Sequence, residues 1–128
     1  MNVDVILHGG FVITMEGAGT GVIDKGAVAV SGQKIVAVGE EDEVLRQYTA
    51  DRYIDTSGKA VMPGFVDSHI HTGDVIVRSC AQDIPGDIWR IHGILPLLGC
   101  AEDEDYIIGS RLNIIEAMKA GTTTFGDF

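Results

Sequence analysis

The stretch Met62–Asp74, MPGFVDSHIHTGD, combines a Pro-Gly corner, an apolar run and two histidines separated by one residue. Side chains of a β-strand alternate between its two faces, so Asp67, His69 and His71 are expected to share one face. Neutral imidazole is a ligand that both zinc and ferrous iron accept. The stretch therefore predicts a strand that ends in a pair of candidate metal ligands.

The residues after this stretch alternate between helical and extended patterns. Asp87–Leu98 is predicted to be helical, and Pro96 is expected to end or kink that helix. Segment 101–121 predicts the clearest helix, with an acidic start and Gly121 at its end. Its apolar face is marked by Ile108, Leu112, Ile115 and either Met118 or Lys119. Residues 122–128, TTTFGDF, favour a strand, so this half predicts one βαβ unit with parallel strands.

The residues before the stretch are predicted to be mostly β-structure. VDVILHGG and FVITM are apolar runs bounded by glycines, which is typical of strands. Two β-branched runs on either side of Ser31, Gly32 and Gln33 predict a hairpin. EEDEVLRQY predicts one short helix behind an acidic first turn, and RYID and AVM predict brief strands. The fold class is therefore α/β plus β, with a β-sandwich-type segment at residues 1–61.

The composition is that of an acidic globular chain, with 45% hydrophobic residues and a formal charge of −10. Nucleic acid and anionic membranes need a basic face, so neither is expected as a partner. The sequence has no run of 18 apolar residues and no basic start of a secretory signal, which favours a cytoplasmic location. Cys80 and Cys100 are too few for a disulfide framework and are expected to be buried like small apolar side chains.

The stretch PGFVDSHIH resembles the motif that opens the barrel of the amidohydrolase superfamily, and GQKIVAVG and DTSGKAVMPG resemble segments of that family's small β-sandwich. The resemblance covers the whole chain. It implies a composite sandwich domain at residues 1–61 and the start of a (β/α)8 TIM barrel at residues 62–128. It further implies His69 and His71 as metal ligands, with zinc expected and iron as the alternative, and a homo-oligomer in the intact enzyme.

Several later residues are similar to the branch of aminohydrolases and chlorohydrolases acting on nucleosides, guanine and triazines. They are Arg78, Ala81, Asp83, Trp89, Leu95, Pro96 and the terminal EAMKAGTTTFGDF. This similarity implies hydrolysis of a C–N or C–Cl bond in a small cyclic substrate by a metal-activated water, with deamination as the expected reaction. Members acting on adenosine-type substrates often carry a glutamate that grips the ribose where this chain has Leu98. That departure argues against a nucleoside substrate.

The chain is shorter than the barrel that the motif implies. A complete (β/α)8 barrel needs roughly 200–250 residues, and the residues after His71 suffice for one helical crossover and a second strand. A catalytic zinc usually has three protein ligands. We therefore expect an incomplete barrel: an N-terminal fragment of a longer enzyme that is inactive alone, with the remaining ligands on later strands.

Other residues leave alternatives open. Asp67 either orients a metal ligand or forms a polar layer of the barrel floor, and Asp127 lies where catalytic residues collect. Arg78 reaches an anionic substrate group or forms an ion pair, and Trp89 is a substrate platform or part of the core. His8 and His92 are expected to have local structural roles. The scattered glycines predict no dinucleotide or phosphate loop, so no residue is assigned to an organic cofactor.

Two other functions fit the same sequence. One is a binuclear amidase or dihydroorotase-like member of the superfamily, which would need a bridging carboxylated lysine on a later strand. The other is a non-catalytic β-sandwich assembly module whose two histidines have lost their role.

Overall fold

A computed structural model describes residues 1–17, 19 and 21–128 of the chain. These residues divide into two compact units, Met1–Pro63 and Gly64–Phe128. Across the described part of the chain, every helix is too short or too polar to cross a membrane. The assignment of residues 1–61 and 62–128 to a composite domain and a barrel domain stays a prediction.

The first unit is a five-stranded sheet with one short helix. Its elements are β1 (Asn2–Ile13), β2 (Val22–Ser31), β3 (Lys34–Glu40), α1 (Glu41–Gln47), β4 (Thr49–Asp55) and β5 (Ala60–Val61). The strand order is β3-β2-β1-β4, and β5 also pairs with β1. The predicted hairpin is confirmed as the antiparallel pair β2–β3, whereas β4 and β5 run parallel to β1. The described residues of this unit form this one sheet, so the sandwich-type segment stays a prediction.

The core of this unit lies between the sheet and α1. Its buried side chains are Val3, Ile6, Ala27, Ala29 and Val44. The two apolar runs that predicted separate strands form the single strand β1, whose pairing with β2 shifts register around Gly10. A Cβ at Gly10 would overlap the main-chain oxygens of Thr56 and Lys59. The glycine therefore admits a neighbouring chain segment without ending the strand.

The second unit is the predicted βαβ arrangement. Its elements are β6 (Phe65–Ile70), a 3₁₀ turn (Gly73–Val77), α2 (Gly86–Ile88), a π-helix (Trp89–Ile94), α3 (Leu95–Leu98), α4 (Asp103–Lys119) and β7 (Thr122–Asp127). Strands β6 and β7 are parallel, as predicted. Gly121 has φ +92°, a left-handed conformation that a side chain would oppose, and it turns the chain from α4 into β7.

The structure corrects three details of the second unit. Strand β6 ends at Ile70, so His71 is the first residue beyond it. Pro96 was predicted to end or kink its helix, and it does not end it, because the π-helix immediately before it widens the turn and α3 continues past the proline. Cys80 and Cys100 are exposed, because each lies on a surface turn after a short helix.

The face of α4 that packs within this unit also differs from the predicted apolar face. Gly109 is buried against the 3₁₀ turn, where its absent side chain leaves room for Ile76. The predicted apolar residues Ile108, Leu112 and Ile115 are exposed. Apolar side chains lie all round α4, so periodicity alone could not select the packed face.

Candidate metal centre

The two imidazoles of the histidine pair lie side by side at the carboxyl end of β6. Nε2 of His69 is 3.2 Å from Nε2 of His71. The ring centroids are 5.0 Å apart, and the ring planes meet at 76°. Both side chains are exposed. The pair therefore presents two imidazole nitrogens to the same point in space.

This spacing suits a divalent metal. Zinc lies about 2.0–2.1 Å from imidazole nitrogens. An ion at that distance from both Nε2 atoms would make an N–metal–N angle of about 100°, close to the tetrahedral value that structural and catalytic zinc sites use. Two bare nitrogen lone pairs at 3.2 Å would repel each other, so a proton or a cation between them is favourable. His69 and His71 therefore fit two of the four ligand positions of a tetrahedral zinc site.

The ring of His71 is oriented by a main-chain contact. Its Nδ1 lies 2.9 Å from the main-chain oxygen of Phe128, which can only accept. His71 must therefore carry a proton on Nδ1, which leaves the Nε2 lone pair free for a metal. The ring of His69 stacks on the ring of Phe128, with centroids 4.4 Å apart and planes at 18°. One residue beyond β7 thus positions both imidazoles.

A second network fixes the main chain directly after His71. Asp127 Oδ1 accepts the main-chain N–H of Thr72 at 3.0 Å, and Asp127 Oδ2 accepts the Thr72 hydroxyl at 2.5 Å. These hydrogen bonds stabilise the charged carboxylate and hold the pKa of Asp127 below its ordinary value, and the bond from the Thr72 hydroxyl has the largest effect. The hydroxyl of Ser110 lies 3.2 Å from Thr72 Oγ1, and Thr72 itself is buried. Sequence reasoning missed Thr72 and Ser110; the sequence signal for Thr72 is its position directly after the histidine pair.

The other predicted residues fall into separate roles. Asp67 accepts the main-chain N–H of His69 at 3.2 Å, so it contacts the backbone of the ligand strand; whether it orients a ligand stays a proposal. Arg78 forms a two-pronged ion pair with Glu116, at 2.7 and 3.2 Å, which selects the ion-pair alternative. His8 bonds through Nδ1 to Glu41 Oε1 at 3.0 Å, in the first unit.

A cavity of about 440 Å³ adjoins the histidine pair. Its wall has polar members, His69, His71, Asp74 and Arg90, and apolar members, Trp89, Ile94, Leu95 and Leu98. Trp89 is 40% exposed, so its indole belongs to the cavity wall and not to a core. His92 is not part of this wall. A wall that is half apolar and half polar suits a small heterocycle beside a metal.

Within residues 1–17, 19 and 21–128, no group of three His, Cys, Asp or Glu side chains could hold a metal. The first unit contains a larger groove of about 500 Å³ lined by aliphatic side chains of β1, β2 and β3. That groove has no imidazole, so the smaller cavity is the better candidate for chemistry.

Comparisons with known proteins identify the family of this chain. The model of the Amidohydrolase family matches residues 60–128, and that of the imidazolonepropionase-like composite domain of bacteria matches residues 26–50. A 5-methylthioadenosine/S-adenosylhomocysteine deaminase of Pelotomaculum thermopropionicum is 37% identical over 97% of this chain and 28% of its own length. A 5'-deoxyadenosine deaminase of Methanococcoides burtonii is also 37% identical, over 97% of this chain and 27% of its own.

Among solved structures, an adenosine deaminase of Xanthomonas campestris with bound zinc superimposes with a TM-score of 0.89 at 29% identity. The superposition covers 99% of this chain and 29% of that one. This chain therefore spans less than a third of the length of these relatives, and its βαβ unit is part of a larger barrel fold in proteins of this kind. The match over residues 60–128 covers more than half of the sequence, and the chain belongs to the amidohydrolase family.

Proposed function

We propose that this chain is the N-terminal part of a zinc-dependent deaminase that acts on a small, planar, cyclic amidine. The observation that carries the proposal is the convergence of the His69 and His71 Nε2 atoms, 3.2 Å apart, beside a cavity. The remaining zinc ligands and the groups that move protons would come from outside these residues. The proposal also retains the expectations of a cytoplasmic homo-oligomer that binds neither nucleic acid nor membrane.

The relatives support this reaction class. Those named above are deaminases of adenosine-type compounds, and the superimposed Xanthomonas structure contains zinc. Zinc, when bound, supplies a Lewis acid that makes water a nucleophile near neutral pH. Chemistry of this kind would suit the exchange of a ring amino group for the oxygen of water, with ammonia as the leaving group, and His69 and His71 would hold the ion.

The chain's own residues would bind the ion and shape the cavity. His71 presents Nε2 because Phe128 accepts its Nδ1–H, and the Asp127–Thr72 network holds the adjoining backbone in place. Trp89 and Leu98 would form the apolar wall against which a planar ring lies. Since Leu98 cannot accept a hydrogen bond from a ribose, we propose that the ring, not a sugar, is recognised at this wall.

A chimera tests the proposal. Residues 1–128 replace the corresponding part of the Pelotomaculum deaminase, whose remaining length supplies the rest of the barrel. We expect zinc uptake and ammonia release from 5-methylthioadenosine or a simpler aminopurine, both lost in His69→Ala and His71→Ala. A chimera that binds zinc with wild-type stoichiometry but deaminates no amino-heterocycle, or one that is active without both histidines, would refute it.

A further inference from the structure

We propose that Pro96 is a positioning residue: through the π-helix Trp89–Ile94, it holds Trp89 in the wall of the histidine cavity. The inference rests on the proposed function only in treating that cavity as the substrate site. Its evidence is the hydrogen-bond pattern of the backbone from residue 85 to residue 99 and the positions of three apolar side chains.

The backbone contains one widened turn between two ordinary ones. The N–H of Trp89 donates to the carbonyl of Pro85, four residues earlier, and the N–H of Gly99 donates to Leu95, again four earlier. Between them, the N–H of Leu95 donates to the carbonyl of Arg90, five residues earlier. The extra residue is therefore confined to the turn that directly precedes Pro96.

Pro96 supplies a physical cause for that turn. In an α-helix the proline ring would meet the carbonyl of the residue four positions earlier, His92, and the proline has no N–H to donate. A turn with five-residue bonds moves the preceding carbonyls out of the way of the ring. The helix can then continue through α3 instead of ending at the proline.

The widened turn changes which side chains share a face. Residues five apart are hydrogen-bonded across one turn of a π-helix and lie towards the same face, whereas in an α-helix they are about 140° apart. Trp89 and Ile94 are five apart, and Leu98 follows Ile94 at the four-residue spacing of an α-helix. All three line the cavity that contains His69 and His71. An unbroken α-helix would turn Trp89 away from the other two, so the proline keeps the indole in the wall of the cavity that the imidazole pair also lines.

The chain offers a direct probe, because Trp89 is its only tryptophan. Co²⁺ bound at the histidine pair should quench the fluorescence of an indole in the same cavity. We expect saturable quenching in the 128-residue chain, while Pro96→Ala keeps the cobalt affinity but loses at least about half of the quenching amplitude as the turn reverts to an α-helix. Pro85→Ala is the matched control, since it removes a proline before the helix and should quench like the unmodified chain.

Undiminished quenching in Pro96→Ala would overturn the inference, as would cobalt binding at the histidines without any quenching of Trp89. Absence of cobalt binding by the 128-residue chain would show that two imidazoles do not hold the ion alone, and the chimera would then test the proposed function separately. In that case the metal-free chain decides: nuclear Overhauser contacts between the Trp89 ring and the Ile94 methyl groups should be present, and lost in Pro96→Ala. Their persistence in that variant would refute the role of the proline. Pro96→Ser provides the same readouts if the alanine variant does not fold.

Discussion

Asp127, the last residue of β7, accepts both the main-chain N–H and the hydroxyl of Thr72, the first residue after His71. The two residues are 55 positions apart in sequence, and the parallel pairing of β6 with β7 brings them together. Each end of this contact adjoins the proposed metal centre, since Phe128, next to Asp127, contacts both imidazoles. The contact therefore joins the two strand ends that carry the site.

Replacing Thr72 by valine tests this contact. The valine keeps the shape of the buried Thr72 side chain but removes the hydroxyl donor to the Asp127 carboxylate, so the free energy of unfolding should fall. Zinc affinity should fall as well, because the backbone next to His71 is less constrained. Urea unfolding and zinc titration measure both effects. The exposed Thr124→Val in β7 is the control, and equal behaviour of the two variants would show that the contact has no such role.

Gly109 is expected to tolerate no side chain. A Cβ there would lie 2.7 Å from Ile76 Cγ2 and 2.9 Å from the main-chain oxygen of Gly73. Gly109→Ala should therefore separate α4 from the 3₁₀ turn and destabilise the chain by about 1–3 kcal/mol, measured by urea unfolding. Gly86→Ala is its control, since a Cβ at Gly86 meets nothing within 4 Å. A neutral Gly109→Ala would contradict the packing described for α4.

Glu41 in the first unit should make folding sensitive to acid. Its side chain is 10% exposed, with Oε1 3.0 Å from His8 Nδ1 and Oε2 2.7 Å from Lys25 Nζ. The Oε2 contact is an ion pair and not a well-aligned hydrogen bond, so that oxygen lacks a directed donor. Lys25, followed by His8, lowers the pKa of Glu41. Because Lys25 is 68% exposed, solvent screens part of the attraction.

A lowered pKa in the folded state means that the charged carboxylate stabilises the fold at pH values above the ordinary value of 4.5. That stabilisation should be lost as the pH falls from 4.5 through the lower pKa of the folded state. Urea midpoints measured from pH 7 to pH 3 should fall in this window for the unmodified chain and change less in Glu41→Gln. The exposed Glu43→Gln should follow the unmodified chain. Parallel pH profiles for all three would exclude Glu41 as the source.

Leu98 should limit the use of nucleosides by the chimera. Leu98→Glu restores the acceptor that the family resemblance places at this position, in a side chain that lines the cavity. We expect kcat/KM for 5-methylthioadenosine to rise by about tenfold relative to that for the free base, because a charged acceptor for ribose hydroxyls contributes roughly 1.5 kcal/mol or more. Leu97→Glu, on the neighbouring position, should not change this ratio. An unchanged ratio in Leu98→Glu would show that the ribose does not approach this wall.

Local sequence patterns predicted much of this architecture. Strand alternation predicted that His69, in β6, and His71, directly after it, share one side. The β-branched runs around Gly32 predicted the hairpin, and the strand–helix–strand order predicted the parallel pair β6–β7. Each of these features depends on residues that are close in sequence or on a general rule of chain connection.

Features that depend on contacts between distant residues could not be predicted. The Asp127–Thr72 bonds depend on the register between two strands, and the packed face of α4 is defined by a glycine instead of an apolar stripe. The π-helix before Pro96 could not be predicted from the sequence for a different reason. A helical pattern with a proline indicates a disturbance, but ending, kinking and widening of the helix give the same pattern.

Zinc titration of the 128-residue chain tests the central claim most directly. With a competing chromophoric chelator, we expect one bound zinc per chain, with an affinity that falls at least about tenfold in both His69→Ala and His71→Ala, since each variant removes one of two ligands. His92→Ala, which alters a histidine outside the cavity wall, should bind as the unmodified chain does. Zinc uptake that persists in the double variant His69→Ala/His71→Ala would contradict the account. A loss of zinc affinity in His92→Ala as large as the loss in His69→Ala would contradict it as well.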